Sequence, residues 1–185
     1  LERYVVLEEL LAAGAPCGSH WIADRQSGPL LLRLGNEEQL ALVPRMATAE
    51  LSFCIGMSEP DAGSDAGAMT TIAQYRQSTA ASGQNDSYVL NGVKTWISNG
   101  GIADFYCVFA KTDAQAGTRG ISAFIVDAGT KGLDDSEHIT VMAPHPLASL
   151  RFTHCALDAS TQLGELGGGF KLAMRTLDIF RSSVA

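Results

Sequence analysis

From residue 51 onward the chain is written in short apolar runs, and that rhythm constrains the fold more than any total does. LSFCIGM, MTTIAQYRQ, SYVLNGVKTWIS, FYCVFAKTD, ISAFIVDA, HITVMAP and LRFTHCAL are rich in β-branched or aromatic residues, and Gly, Asn, Asp or Ser fills the gaps between them. Runs of this length and spacing predict strands of a mainly antiparallel barrel or sandwich. Within the third run, Leu90-Asn91-Gly92-Val93 predicts a type I′ hairpin turn, because Asn-Gly readily takes positive φ.

Helical period flanks this region. ERYVVLEELLAAG ends at Gly14, and NEEQLALVPRMATAE opens with Asn36 as a cap followed by two acids, with Pro44 demanding a kink or break. Between them, GSHWIADRQSGPLLLRLG predicts a short helix and a connection, with His20 and Trp21 as helix residues. Near the end, Phe170, Ala173, Met174, Leu177 and Phe180 share one helical face after the glycine-rich LGELGGGF. The expected class is α+β: a mainly antiparallel β-barrel or sandwich flanked by α-helices. The chain stops inside a helix and starts without Met, which reads as a piece of something longer.

Composition narrows the function classes. With 46% hydrophobic and 18% charged residues and no apolar run near the roughly 18 residues that a membrane helix needs, a membrane insertion is not expected. Glu2, Glu8 and Glu9 stand where a secretory signal would carry basic residues. The net charge is −7 and Lys and Arg nowhere cluster, which argues against a nucleic-acid partner. Cys17, Cys54, Cys107 and Cys155 are widely spaced with no C-x-x-C, the pattern of reduced cysteines in a cytoplasmic protein rather than of a metal site.

Two stretches carry chemistry. In FCIGMSEPDAGSD (53–65), Pro60 fixes one φ, Gly63 permits a positive one, and Asp and Ser side chains satisfy local amides. That makes a turn. The same stretch also offers the hydroxyls of Ser58 and Ser64 and a series of backbone N–H groups to the polar edge of a ligand. In NGVKTWISNGG (91–101), Trp96 and Ser98 stand two apart on a strand and so share a face. An indole beside a hydroxyl suits a planar heteroaromatic ligand, although the pair taken alone reads as a core Trp beside a surface Ser. LGELGGGF lacks both a GxGxxG after a strand and a GK[ST], so it supports neither a dinucleotide fold nor a P-loop. His138, His145 and His154 have no nucleophile pattern beside them and read as structural.

MSEPDAGSD followed by NGVKTWISNGG, in the order helix, helix, β-region, glycine loop, helix, resembles the acyl-CoA dehydrogenase family of flavoproteins over most of the chain. The resemblance implies FAD as cofactor, acyl-CoA as substrate, electron-transfer flavoprotein as electron acceptor, and a homo- or hetero-oligomer. It implies residues 1–50 as the end of an N-terminal helical domain, 51–160 as a β-domain for flavin and acyl-CoA, and 161–185 as a linker and first helix of a C-terminal helical domain.

By the same resemblance, Ile55 and Met57 give backbone contacts to the flavin, and Ser58, where relatives usually have Thr, directs its hydroxyl to the pyrimidine edge. Trp96 lies against the flavin, Ile97 joins the cofactor set, and Ser98, again in place of Thr, hydrogen-bonds the ring nitrogen N5. Both exchanges keep the hydroxyl and lose the methyl that fixes its rotamer. Ser64 contacts acyl-CoA, and TLDIFR nominates Asp178 and Arg181 for substrate binding. Glu59 is a loop-shaping acid rather than the base, and Phe180 occupies a position where some members hold a catalytic glutamate. No catalytic residue is therefore assigned within these 185 residues. The implied reaction removes the proton α to a thioester while the β-carbon reduces the flavin. A flavin-dependent oxidase or monooxygenase, or a non-catalytic flavin-binding partner subunit, are the alternatives. Residues 143–151 depart from the polar segment of straight-chain enzymes, leaving branched, aromatic or steroid-derived thioesters open.

Overall fold

The computed structural model describes residues 2–15, 17–78, 85–143 and 145–184, with only the backbone for residues 3, 19 and 179–184. Helix α1 spans Glu2–Ala12, and the chain leaves it through Gly14 at φ +73°, a conformation that a side chain disfavours. The segment predicted as a short helix plus a connection is helical throughout: α2 (Gly18–Ile22) runs through a π-helical turn, Ala23–Ser27, into α3 (Gly28–Leu34). Pro29 does not interrupt it, because it falls in the first turn of α3, where the missing N–H has least effect.

Asn36 caps α4 (Glu37–Leu40). Its side chain accepts the Gln39 N–H at 2.9 Å while the Gln39 side chain accepts the Asn36 N–H at 3.2 Å. Pro44 then sits in the first turn of α5 (Val43–Ala47), which realises the expected break. The Gln39 amide also donates to the carbonyls of Ser160, Thr161 and Gln162, tying this helical segment to the far end of the β-region.

Among the described residues eight strands follow: β1 (Phe53–Gly56), β2 (Ile72–Arg76), β3 (Ser87–Ser98), β4 (Phe105–Lys111), β5 (Ile121–Asp127), β6 (Leu133–His138), β7 (Leu147–Asp158) and β8 (Gln162–Leu163). They form one sheet in the order β6-β7-β3-β2-β4-β5-β8, with β1 alongside β4. Most neighbours are antiparallel, but β1 and β2 both meet β4 in parallel. The sheet curls enough for Leu150 of β7 and Val108 of β4 to share a core, yet no ladder among the described residues closes it. Among the described residues the β-region is an open, curled, mixed sheet, with α-helices beside it. Helix α6 (Gly169–Val184) completes the described chain.

β4 and β5 explain where the core sits. Cys107, Phe109, Ile121, Ala123 and Ile125 face the helices and pack with Leu30, Leu31, Met46, Leu172 and Ala173. Their alternate residues, Tyr106, Val108, Phe124 and Val126, pack with Leu90, Leu150 and Phe152 of β3 and β7. Strands buried on both faces must be apolar at nearly every position, which is why FYCVFA and ISAFIV read as hydrophobic runs interrupted only by Ser122.

Two strand expectations shift. No hairpin forms at Asn91-Gly92; β3 runs straight through, and its pairing with β7 slips between Leu90 and Gly92. Gly92 is at φ +150°, and a Cβ there would lie 2.4 Å from the Thr71 hydroxyl. The glycine therefore serves a β-bulge pressed against Thr71, and the Asn91 side chain fixes it by accepting the His154 N–H at 2.8 Å. The strand placed over HITVMAP instead ends at His138 and starts at Leu133, because its antiparallel pairing with β7 requires the chain to reverse after His138. Asp134 and Glu137 keep this edge strand charged, a common guard against further pairing. No described helix is long and apolar enough to cross a membrane.

Candidate functional site

β1 delivers the chain into a loop that is pinned before any ligand is considered. Glu59 and Ala62 exchange backbone hydrogen bonds of 3.0 and 3.1 Å around Pro60 and Asp61, which closes the turn. The Glu59 side chain points inward. One carboxylate oxygen accepts the Thr70 N–H at 2.6 Å and its hydroxyl at 2.7 Å; the other accepts the Thr71 N–H at 2.9 Å and Lys94 Nζ at 2.8 Å. Lys94 is fully buried, and its ammonium donates a second hydrogen bond, at 3.1 Å, to the Met57 carbonyl.

Electrostatics follow from that geometry. Burial pushes the Glu59 carboxyl up, but the Lys94 charge and the hydrogen bonds from Lys94, Thr71 and Thr70 outweigh it and bring the carboxyl down to about 2. Burial holds the Lys94 ammonium below the usual lysine value, against the opposing pull of Glu59. With donors converging on it from three residues, Glu59 stays ionised and fully occupied. It braces the loop and is a poor proton acceptor.

The brace positions the second motif. Thr95 N–H donates to the Ser58 carbonyl at 2.9 Å, so the carbonyls of Met57 and Ser58 are both tied to β3 immediately before Trp96. The β3–β7 register slips again between Lys94 and Ile97, and Trp96 takes φ +58°. Its indole is 61% exposed, whereas Ile97 is buried and Ser98 half-buried. Trp96 and Ser98 therefore both lie outside the core, but through a bulge with a left-handed residue rather than by the plain alternation the sequence predicts.

Around this centre, Ile55 and Met57 are half-buried against the helix-side core. Ser58 is half-buried, and its hydroxyl makes no hydrogen bond among the described residues. The Ser98 hydroxyl lies 2.9 Å from His145 Nε2. Ser64 is exposed beyond the turn, just before a 3-10 turn, Ala66–Ala68, whose Gly67 is overhung by Thr118 and by Phe170 at the start of α6. The fold thus gathers Ile55, Met57, Ser58, Trp96, Ile97 and Ser98 and leaves Ser64 at their margin. Asp178 is exposed farther along α6, with no hydrogen bond to the loop among the described residues, and the Arg181 side chain lies outside them.

Sequence reasoning passed over Lys94 and set His145 aside as structural. For Lys94 a signal existed: Tyr88 and Leu90 point into the core from the same strand parity, and a lysine continuing that parity needs a buried counter-charge. His145 had no local signal, because its partner is reached only through tertiary pairing. A cleft of about 530 Å³ lies elsewhere, between α1 and the Trp21 and Arg25 side chains. The loop and Trp96 instead form an open face. Among the described residues no group of His, Cys, Asp or Glu is placed to hold a metal ion.

Residues 54–155 match the family described as "Acyl-CoA dehydrogenase, middle domain". The chain is 39% identical over 155 residues to the short-chain specific acyl-CoA dehydrogenase of Clostridium acetobutylicum, a match covering 82% of this chain and 38% of that protein. It is 36% identical over 188 residues to the caffeyl-CoA reductase-Etf complex subunit CarC of Acetobacterium woodii, covering 98% of this chain and 47% of that one. Butyryl-CoA dehydrogenase from Megasphaera elsdenii superposes with a TM-score of 0.79 at 33% identity, over 90% of this chain and 44% of that structure. This chain therefore spans less than half the length of these relatives. By the matched domain and by these identities, the chain belongs to the acyl-CoA dehydrogenase family.

Proposed function

We propose that this chain is the flavin- and acyl-CoA-facing portion of an FAD-dependent acyl-CoA dehydrogenase. Residues 51–160 are its binding domain, 1–50 the end of an N-terminal helical domain, and 161–185 the linker and first helix of a C-terminal one. The observation that carries this reading is the loop Met57–Gly63, locked by Glu59 and Lys94 against the strand that exposes Trp96 and Ser98.

The residues present fit such a cofactor. A fused planar ring needs a flat apolar surface and donors at its polar edge, and here an exposed indole stands beside the uncommitted Ser58 hydroxyl and the Ser98 hydroxyl. When bound, FAD supplies the two-electron oxidant. Ile55 and Met57 hold its ring through their backbone, Ser58 addresses the pyrimidine edge, Trp96 covers the ring with Ile97 anchored beneath, and Ser98 directs its hydroxyl to a ring nitrogen. Ser64 meets the acyl-CoA, and Asp178 and Arg181 approach from α6. Because the loop is already bonded on its inner side, little ordering remains to oppose binding.

Glu59 does not serve as the base that removes the α-proton, since Lys94 and the Thr70 and Thr71 amides occupy it. That carboxylate comes from residues outside these. An electron-transfer flavoprotein acceptor is supported by the relative named as an Etf-complex subunit. An oligomer is supported by the apolar side chains that α1 leaves exposed, among them Val5, Val6, Leu10 and Leu11. Four free cysteines support a cytoplasmic setting.

The test is to purify the gene product at its natural length, desalt it and record its visible spectrum before and after anaerobic addition of a short acyl-CoA. Retained flavin that bleaches on addition supports the reading. A folded protein that retains no flavin contradicts it, and bleaching that air rapidly reverses points to an oxidase.

A further inference from the structure

The imidazole of His145 is seated on a hydroxyl of the proposed flavin face. His145 Nε2 lies 2.9 Å from Ser98 Oγ, and both residues are half-buried. The backbone around the histidine is pinned on either side. Its own N–H donates to the Ala143 carbonyl at 2.8 Å, the Pro146 carbonyl accepts the Asn99 N–H at 2.9 Å, and Leu147 pairs directly with Ser98 in the β3–β7 ladder. The ring is therefore delivered to Ser98 by fixed backbone.

A serine needs such a partner more than a threonine does. Without a γ-methyl its χ1 is free to hop among rotamers, and its hydroxyl proton can point anywhere on a cone. The imidazole removes both freedoms, but the direction it imposes depends on which ring nitrogen holds the proton. A bare Nε2 captures the Ser98 O–H and leaves only lone pairs facing outward. A protonated Nε2 donates to Oγ and leaves the Ser98 proton free for an external acceptor.

We propose that His145 is a positioning residue that donates from Nε2 to Ser98 Oγ and so directs the Ser98 hydroxyl proton toward an acceptor nitrogen of the bound flavin ring. The inference rests on the flavin reading above, because an oxidised heteroaromatic nitrogen is the acceptor that requires this polarity.

Two measurements test it on the gene product at its natural length. In the absence of FAD, long-range proton–nitrogen NMR of the labelled protein reads the tautomer, and the expected result is an Nε2–H imidazole. With FAD, the dissociation constant and visible band are measured for His145→Phe and His145→Gln, each also in a Ser98→Ala background. His145→Phe weakens FAD binding by about fivefold, the size of one net hydrogen bond, and moves the flavin band. His145→Gln, which keeps a donor, restores most of both, and neither substitution has a further effect once Ser98 is alanine. An Nδ1–H tautomer, or equal losses with and without the Ser98 hydroxyl, overturns the inference while leaving flavin binding intact. A folded wild-type protein that takes up no FAD overturns the functional reading and the inference with it.

Discussion

Lys94 Nζ lies 2.8 Å from Glu59 Oε1, with the two side chains 0% and 3% exposed. A charge pair so thoroughly removed from water is costly to assemble, and here the cost is offset by the Thr70, Thr71 and Met57 bonds that saturate both ends. The result is a rigid link between the loop after β1 and the strand that presents Trp96.

Breaking one side of that link leaves a bare buried charge. Lys94→Met is expected to lower the unfolding free energy by about 3–5 kcal/mol, whereas adding Glu59→Gln recovers part of the loss. Urea denaturation of the two singles and the double checks this. A Lys94→Met protein as stable as wild type would contradict the brace.

Acid provides an independent reading of the same pair. The folded-state value of Glu59, about 2, lies below its ordinary 4.5, so its contribution is complete above 4.5 and is lost as pH falls toward 2. A shift of that size amounts to roughly 3 kcal/mol. Unfolding free energies followed across this window should fall more steeply for wild type than for Glu59→Gln. Parallel acid limbs would show that the carboxylate is not held by the fold.

Trp96 separates binding from folding. Its φ of +58° is unfavourable for any residue with a Cβ, and its indole is 61% exposed, so it gives the apoprotein little. Trp96→Gly is expected to raise apoprotein stability by about 1 kcal/mol. The same change should weaken FAD binding about tenfold or more through the lost stacking surface. Thermal melts without FAD and titrations with it distinguish the two; a destabilised variant that binds FAD normally would reverse the assignment.

Gly92 is expected to tolerate no side chain. A Cβ would stand 2.4 Å from Thr71 Oγ1 and 2.7 Å from the Thr71 Cα, at a backbone φ of +150°. Gly92→Ala should cost more than about 2 kcal/mol, read as a lowered urea midpoint, and an unchanged midpoint would mean that the bulge is not where the structure puts it.

Local signals were legible where one residue settles the outcome. Asn36 announces a helix cap, Pro44 a break and Gly14 a stop, and each occurs in the structure, where Gln39 completes a capping box that the sequence reading did not name. Asn91-Gly92 shows the limit of that reasoning, because a hairpin and a bulge ask for the same backbone freedom and only the Thr71 contact decides between them. The motifs around Ser58 and Trp96 marked the loop and strand that the structure brings together, but the period-two rule did not anticipate a bulge at Trp96. Lys94 and His145 take their meaning from partners 35 and 47 residues away, Glu59 and Ser98, and no local window contains such pairs.

The central claim is that a flavin ring rests on Trp96 beside the loop that Lys94 braces. The most direct measurement is tryptophan fluorescence of the natural-length gene product during FAD titration, compared with Trp96→Phe. The account predicts saturable quenching of the wild type at one FAD per chain and loss of most of that quenching in Trp96→Phe, which still binds FAD more weakly. Quenching that is unchanged when Trp96 is phenylalanine, or a folded wild type that binds no FAD, would contradict it.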